Sequence, residues 1–279
     1  MSKKLKDYGL RTNNPTYIIA EVGINHGGDL ELAKKLISSA ARSGADAVKF
    51  QTYLTEQRCP PNKPAVFDIL KRCELPFEAF KKLKQHADKC GIQFFSTPFD
   101  AESVDYLESI GCELYKIASF DIVNRKLLKK IAATGKPVIL SVGMANVEEI
   151  KTAYKLLRRG TKKISVLHCI SSYPTNEADA RLENIRVLEK TFDCVIGQSD
   201  HTADITVPLY AVAVGAQVLE KHYCLNGQKD CVDGPVSITE DQMKKLVSET
   251  RRLEAILGKQ EFGVRSAEKG IVPFRRKSK

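Results

Sequence analysis

The chain has 279 residues, 43% of them hydrophobic, which suits one large α/β unit better than several small domains. No apolar run approaches the ~20 residues of a membrane span. The charged start Met1-Ser2-Lys3-Lys4 has no apolar stretch behind it, so it reads as neither signal nor anchor and a cytoplasmic location is expected.

The formal charge of +10 is partly local, with Arg265, Lys269, Arg275, Arg276, Lys277 and Lys279 crowding the C-terminal end. No nucleic-acid-binding motif accompanies it, and no interleaved aromatics. The charge therefore reads as solvated helix faces and a basic tail, or as a field that attracts anionic small molecules. Eight cysteines are scattered without a Cys-x-x-Cys pair, which predicts reduced thiols and no structural zinc.

Short β-branched runs alternate with amphipathic segments, the pattern of a parallel sheet. Strands are expected at residues 17–23, 47–51, 93–98, 114–119, 137–143, 164–169, 195–200 and 217–223. Between them, Leu32, Leu36, Ile37 and Ala40 form one helical stripe, and Ile150, Ala153, Tyr154 and Leu157 another. Asn146 with Glu149, and Thr239 with Gln242, have capping-box spacing. Residues 54–73 form a longer, proline-containing insertion placed to cover one end of a barrel. Eight strand–helix repeats predict a (β/α)8 TIM barrel, a single domain over residues 17–258. An N-terminal extension over 1–16 and a basic tail over 259–279 flank it. An open doubly wound sheet is the alternative, weakened because no Gly-x-Gly-x-x-Gly follows the first strand.

Every expected strand ends in polar or small residues, and in a barrel those tips form the active-site face. Period-two alternation puts Lys49 with Gln51, Ser199 with His201, and Glu220 with His222 on shared faces. If these faces point inward, Lys49 and Lys116 bring cations to the mouth, and Ser119, Ser141 and Ser199 bring hydroxyls. That set is a cradle for a phosphate or carboxylate. A lysine inside a barrel strand is seldom structural, because burying an unpaired ammonium is costly; one of the two is alternatively a Schiff-base lysine. His201 and His222 lie 21 residues apart, one βα step, which brings two imidazoles to one end of the sheet as joint ligands of a divalent cation. Glu21 and Asp200 are candidate third ligands or bases. His168 is read as either a core histidine or a site group, His86 as surface, and His26 as a group behind or at the substrate.

At these motifs the chain resembles the sialic acid synthase family, which includes N-acetylneuraminate synthase and its legionaminic, pseudaminic and spore-coat relatives. The matching stretches run from Ala20-Glu-Val-Gly-Ile-Asn-His-Gly-Gly-Asp29 through Val48-Lys-Phe-Gln-Thr52, Ser96-Thr-Pro-Phe-Asp100 and Lys116-Ile-Ala-Ser119. They continue with Ser141-Val-Gly-Met144, Leu167-His-Cys169 with Tyr173-Pro174, Ser199-Asp-His-Thr202 and Glu220-Lys-His222. The resemblance implies condensation of phosphoenolpyruvate with an N-acetyl hexosamine-type aldose, giving a nine-carbon 2-keto sugar acid and phosphate. It also implies a divalent metal, Mn2+ or Mg2+, on His201 and His222. Phosphoenolpyruvate would meet Lys49, Lys116, Ser119, Ser141 and Ser199, with Thr97 nearby. Gln51, Ser171 and Tyr173 complete the expected substrate-binding set; Glu21, Lys116 and Asp121 are the expected catalytic residues, Asp121 in proton transfer.

Two departures fall on the sugar side. The family's Gly-Pro-Asp-His is replaced by Asp233-Gly-Pro-Val-Ser237, which lacks the Asp-His pair. The chain also stops at Arg275-Arg-Lys-Ser-Lys279, near where the linker to the family's small antifreeze-like (SAF) domain would begin. A homodimer is a further expectation. The competing readings are a non-catalytic or regulatory barrel that binds phosphoenolpyruvate, and a lysine-dependent aldolase. No nucleic acid or membrane partner is expected.

Overall fold

The computed structural model describes residues 15–59, 62–258 and 261–276. All eight expected strands form: β1 (Tyr17–Gly23), β2 (Ala47–Thr52), β3 (Gln93–Pro98), β4 (Tyr115–Ile117), β5 (Val138–Ser141), β6 (Ile164–Cys169), β7 (Val195–Asp200) and β8 (Val218–His222). They pair in parallel and in chain order, and β8 returns to β1, closing a barrel. The fold is a (β/α)8 TIM barrel, not an open sheet. Helices follow as α1 (Leu30–Arg42), α2 (Thr55–Arg58), α3 (Pro64–Cys73), α4 (Phe77–Cys90), α5 (Ala101–Ser109), α6 (Arg125–Ala133), α7 (Val147–Leu157), α8 (Glu183–Thr191), α9 (Thr206–Ala213) and α10 (Glu240–Leu257).

Local chemistry sets the ends of these elements. The Asp29 carboxylate accepts from the Glu31 and Leu32 N–H groups and starts α1, while Asn146 with Glu149 and Thr239 with Gln242 form complete capping boxes on α7 and α10. Two strands stop two residues earlier than the sequence predicts, and β8 one. The chain leaves β4 for a 3-10 turn at Ser119–Asp121, and beyond β5 the Gly143 N–H donates to Ser119 Oγ at 2.9 Å rather than to a strand. β5 also starts one residue late because Pro137 has no N–H to give the ladder.

The main core lies between the barrel and its helices. It holds Ile18, Ala20, Val48 and Phe50 from the outward strand faces, and Leu36, Ile37, Phe80 and Leu83 from the helices. Each of these side chains larger than alanine contributes about 1.5–3 kcal/mol by leaving water. The insertion after β2 folds into α2 and α3 around a second cluster of Ile24, Tyr53, Cys59, Leu70 and Cys73. Ile24 and Tyr53 directly follow β1 and β2, so this cluster sits at the C-terminal end of the barrel, as expected of a cover.

No disulfide joins the eight cysteines. No helix of the described residues is long and apolar enough to cross a membrane. The expected N-terminal extension lies outside the described residues up to residue 14. Of the expected basic tail, residues 261–276 form two short 3-10 turns, Ser266–Glu268 and Val272–Phe274, and are exposed throughout.

Candidate active site

Strand alternation and register build the site. Glu21 lies beside Lys49 on one side and His222 on the other, and Ser199 beside Glu220. Their side chains meet inside the C-terminal mouth, around a space of about 50 Å3. Glu21, Lys49, Gln51, Thr97, Lys116, Ser119, Ser141, Tyr173, Ser199, His201 and His222 all line it, as the sequence predicts, together with Glu220.

The two lysines are not free cations. Lys49 Nζ lies 2.9 Å from Glu21 Oε1 and 3.7 Å from Glu220 Oε2, and Lys116 Nζ lies 3.4 Å from Glu220 Oε1. All four side chains are buried, and pairing is how the chain tolerates two buried ammonium groups. Lys49 also donates to Thr97 Oγ1 at 3.1 Å, Ser199 Oγ donates to Glu220 Oε1 at 2.8 Å, and Gln51 Nε2 donates to Glu21 Oε1 at 3.3 Å. Glu220 was legible only as a face-mate of His222; its part as the counter-charge of both lysines depends on contacts across the barrel.

Shared neighbours split the two carboxyls. Burial pushes Glu21 above its ordinary pKa, Lys49 opposes this, and the Glu220 charge adds to the rise. Burial would raise Glu220 too, but Lys116, Lys49 and the Ser199 hydroxyl pull it down to about 2. The same neighbourhood thus pushes the two carboxyls in opposite directions. Burial lowers Lys116, against the pull of Glu220.

The opposite wall carries the histidines. His201 Nδ1 lies 2.7 Å from the Ile170 carbonyl; an Nδ1–H donating there leaves the Nε2 lone pair available, the arrangement a ligating imidazole needs. The His201 and His222 ring centres are 5.3 Å apart, and Tyr173 packs on His201 at 4.0 Å. His222 Nδ1 is 3.3 Å from Asp233 Oδ2 but lacks hydrogen-bond alignment. Asp233 comes from the loop after β8, so the stretch read as having lost its acidic residue still places a carboxylate at this wall. A Cβ on Gly23 would meet Glu21 Oε1, Gln51 Nε2 and Asp233 Oδ2 at 3.2–3.3 Å, so these polar groups converge on one point.

This donor set fits a divalent cation. It offers two imidazoles and two carboxylates, and both His222 Nδ1 and Glu21 Oε2 are buried without a hydrogen-bond partner. Among the described residues no three such side chains already form a ligand sphere, so a cation would have to draw Asp233 or Glu21 in beside the two imidazoles.

Other expected residues fall around this centre. Ser171 Oγ is buried and unpartnered; a Cβ on Gly143 would come within 2.4 Å of it and 2.9 Å of Ser119 Oγ. Only a glycine keeps those hydroxyls in place. Asp121 lies outside the mouth, in an adjoining pocket, where its Oδ1 accepts from Asn124 Nδ2 at 3.0 Å.

Asp200 is not a ligand candidate. It points outward, 2.7 Å from the fully buried Lys221 Nζ. His168 Nε2 lies 2.7 Å from the Ala180 carbonyl, a core role. His86 is half-buried against Ser38 at 2.8 Å. His26 is buried behind β1, where its Nδ1 accepts from the Gly28 N–H at 3.1 Å and burial pushes its pKa down to about 4.

The chain is similar to known proteins of one family. The NeuB family matches residues 36–262. Uncharacterized protein MJ1065 of Methanocaldococcus jannaschii is 41% identical, over 99% of this chain and 82% of its own length. The N,N'-diacetyllegionaminic acid synthase of Campylobacter jejuni is 40% identical, over 91% of this chain and 80% of that protein. The crystal structure of N-acetylneuraminic acid (sialic acid) synthetase from Leptospira borgpetersenii, in complex with citrate, superposes with a TM-score of 0.92 at 42% identity, covering 95% of this chain and 93% of that one.

Proposed function

The chain belongs to the NeuB family, and we propose that it is a sugar-acid synthase that condenses phosphoenolpyruvate with an N-acyl aldose and releases phosphate. The observation that carries this reading is the two-sided mouth, with buried lysines and hydroxyls on one wall and two imidazoles with Asp233 on the other. One wall suits an anionic donor, and the other suits an electrophile.

In this reading Lys49, Lys116, Ser119, Ser141 and Ser199 bind the phosphate and carboxylate of phosphoenolpyruvate by charge-assisted hydrogen bonds. The anion takes over the lysines from Glu21 and Glu220. His201 and His222, with Asp233 or Glu21, would hold Mn2+ or Mg2+, which supplies Lewis-acid polarisation of the aldehyde when bound. The methylene carbon of phosphoenolpyruvate attacks the aldehyde carbon of the open-chain sugar, and the new alkoxide takes a proton. Water adds at the former enol carbon, and the C–O bond to phosphate breaks to leave the 2-keto acid. In this reading Glu21, whose pKa is raised by burial, delivers the first proton.

The aldolase alternative asks Lys116 to lose its proton. Burial favours that, but Glu220 at 3.4 Å holds the charge in place. Phosphate release from phosphoenolpyruvate with a panel of N-acyl hexosamines, with and without Mn2+, tests the proposal. Metal-dependent release with at least one aldose is expected. Release from none, with phosphoenolpyruvate shown to bind, would leave the non-catalytic reading; borohydride trapping of a substrate on Lys49 or Lys116 would favour the aldolase.

A further inference from the structure

Asp233 reaches the histidine wall from the long loop between β8 and α10. A loop does not by itself hold a carboxylate at one place, because ordering its backbone costs entropy. One buried side chain ties this loop down. Asn25, in the turn after β1, is fully buried. Its Oδ1 accepts from the Asp233 N–H at 2.8 Å, and its Nδ2 donates to the Tyr223 carbonyl at 3.0 Å and to Ser237 Oγ at 2.9 Å. Ser237 Oγ in turn donates to the Asp233 carbonyl at 2.7 Å. Both backbone groups of Asp233 are therefore held, the N–H by Asn25 directly and the carbonyl through Ser237. The Asn25 carbonyl also accepts from Gln228 Nε2 at 2.6 Å, so the loop is fastened to Asn25 near its tip as well as at both ends.

These partners require an amide. The Tyr223 carbonyl can only accept and the Asp233 N–H can only donate, so one short side chain must offer both functions. An aspartate could not donate to the carbonyl, and an apolar residue of the same size would leave both backbone groups without their partner. The clamp uses only the backbone of Asp233 and leaves its carboxylate facing His222 Nδ1 at 3.3 Å. We propose that Asn25 is a positioning residue for the cation site, fixing the Asp233 backbone so that its carboxylate stands beside His222 as a further donor to a cation on His201 and His222. The cation rests on the synthase reading above; the part of Asn25 rests on the clamp.

The test is Mn2+ binding to the full chain, followed by the electron paramagnetic resonance signal of the free ion, without substrate or turnover. Asn25→Ala is expected to weaken binding at least about tenfold, the scale on which a residue orienting a metal ligand acts, and Asp233→Ala at least as much. In the Asp233→Ala background, Asn25→Ala should change the affinity by less than about twofold, because the group through which it acts is already gone. Ser237→Ala removes the carbonyl half of the clamp and should weaken binding less than Asn25→Ala does, again only while the Asp233 carboxylate is present; it covers the case in which Asn25→Ala does not fold. A residue that merely supports the fold would lower the stability of the chain and leave the Mn2+ affinity where it was. Unchanged affinity in whichever of the two clamp variants folds, or an equal loss with and without the Asp233 carboxylate, would overturn the proposal while leaving the cation reading intact. An unaltered chain that binds no Mn2+ would remove the cation reading and the proposal with it.

Discussion

Lys221→Met tests how the two histidine-bearing strands are held together. Lys221 sits between Glu220 and His222 on β8 but points out of the barrel, and Asp200 does the same between Ser199 and His201 at the end of β7. Their side chains are 0% and 2% exposed, with Nζ 2.7 Å from Asp200 Oδ2. Lys221 Nζ also donates to the Thr202 carbonyl, while Asp200 accepts from the Thr202 N–H at 3.1 Å, the Thr202 hydroxyl at 2.7 Å and Gln198 Nε2 at 3.1 Å. Removing the lysine strands a buried carboxylate and a buried carbonyl, and breaking one partner of such a pair costs about 3–5 kcal/mol. Adding Asp200→Asn removes the stranded charge and keeps an acceptor for Thr202, and should recover about 1–3 kcal/mol. Urea unfolding at neutral pH reads both, with an unchanged denaturant slope as the check that the native fold persists. A cost below about 1 kcal/mol for Lys221→Met, or a double variant no more stable than the single one, would refute the reasoning.

Other perturbations follow from the same coordinates. His26 titrates near 6.5 when exposed but near 4 in the fold, so between those values the unfolded chain takes up a proton that the folded chain refuses. Stability should therefore fall as pH drops from about 6.5 towards 4, by up to about 3 kcal/mol, and His26→Gln should flatten that part of a pH–stability curve. Gly197→Ala would place a Cβ 2.2 Å from the Val218 carbonyl; the contact is with backbone, so a loss of at least about 2 kcal/mol in chemical denaturation is expected. Lys116→Met should lower kcat/KM for phosphoenolpyruvate at least about 100-fold, chiefly through a weaker charge-assisted contact; a phosphate-release assay showing less than a tenfold loss would count against the lysine wall.

Much of the barrel was legible because its signals are local. Helix stripes at 3.6 spacing, caps and β-branched runs fix element type within a few residues, and β1, β3, β6 and β7 occupy their expected bounds. Alternation on Lys49, Ser199, Glu220 and their neighbours then sorted mouth from core without any structure. The misses share a different physics. Asp200 was a candidate third ligand or base beside His201, although one step along a strand reverses the face. Asp233 reaches His222 through a loop with no period to read, and Arg58 packs on Phe99 from another strand end. No local pattern encodes contacts of that kind.

The pairing of the lysines changes what the mouth asks of its ligands. An open cradle of free cations would bind any small anion and hold it without discrimination. Here Lys49 and Lys116 already face Glu21 and Glu220 in a buried space, so an incoming anion must displace carboxylates rather than water. Glu220, held near 2, stays charged through that exchange, whereas Glu21 can relieve the added repulsion by taking a proton. An anion on the lysine wall therefore favours the protonated form of Glu21, the neighbour of His222 across β1 and β8. In the proposed reaction, the charge balance that lets two lysines be buried would also couple the arrival of the donor to readiness for its acceptor.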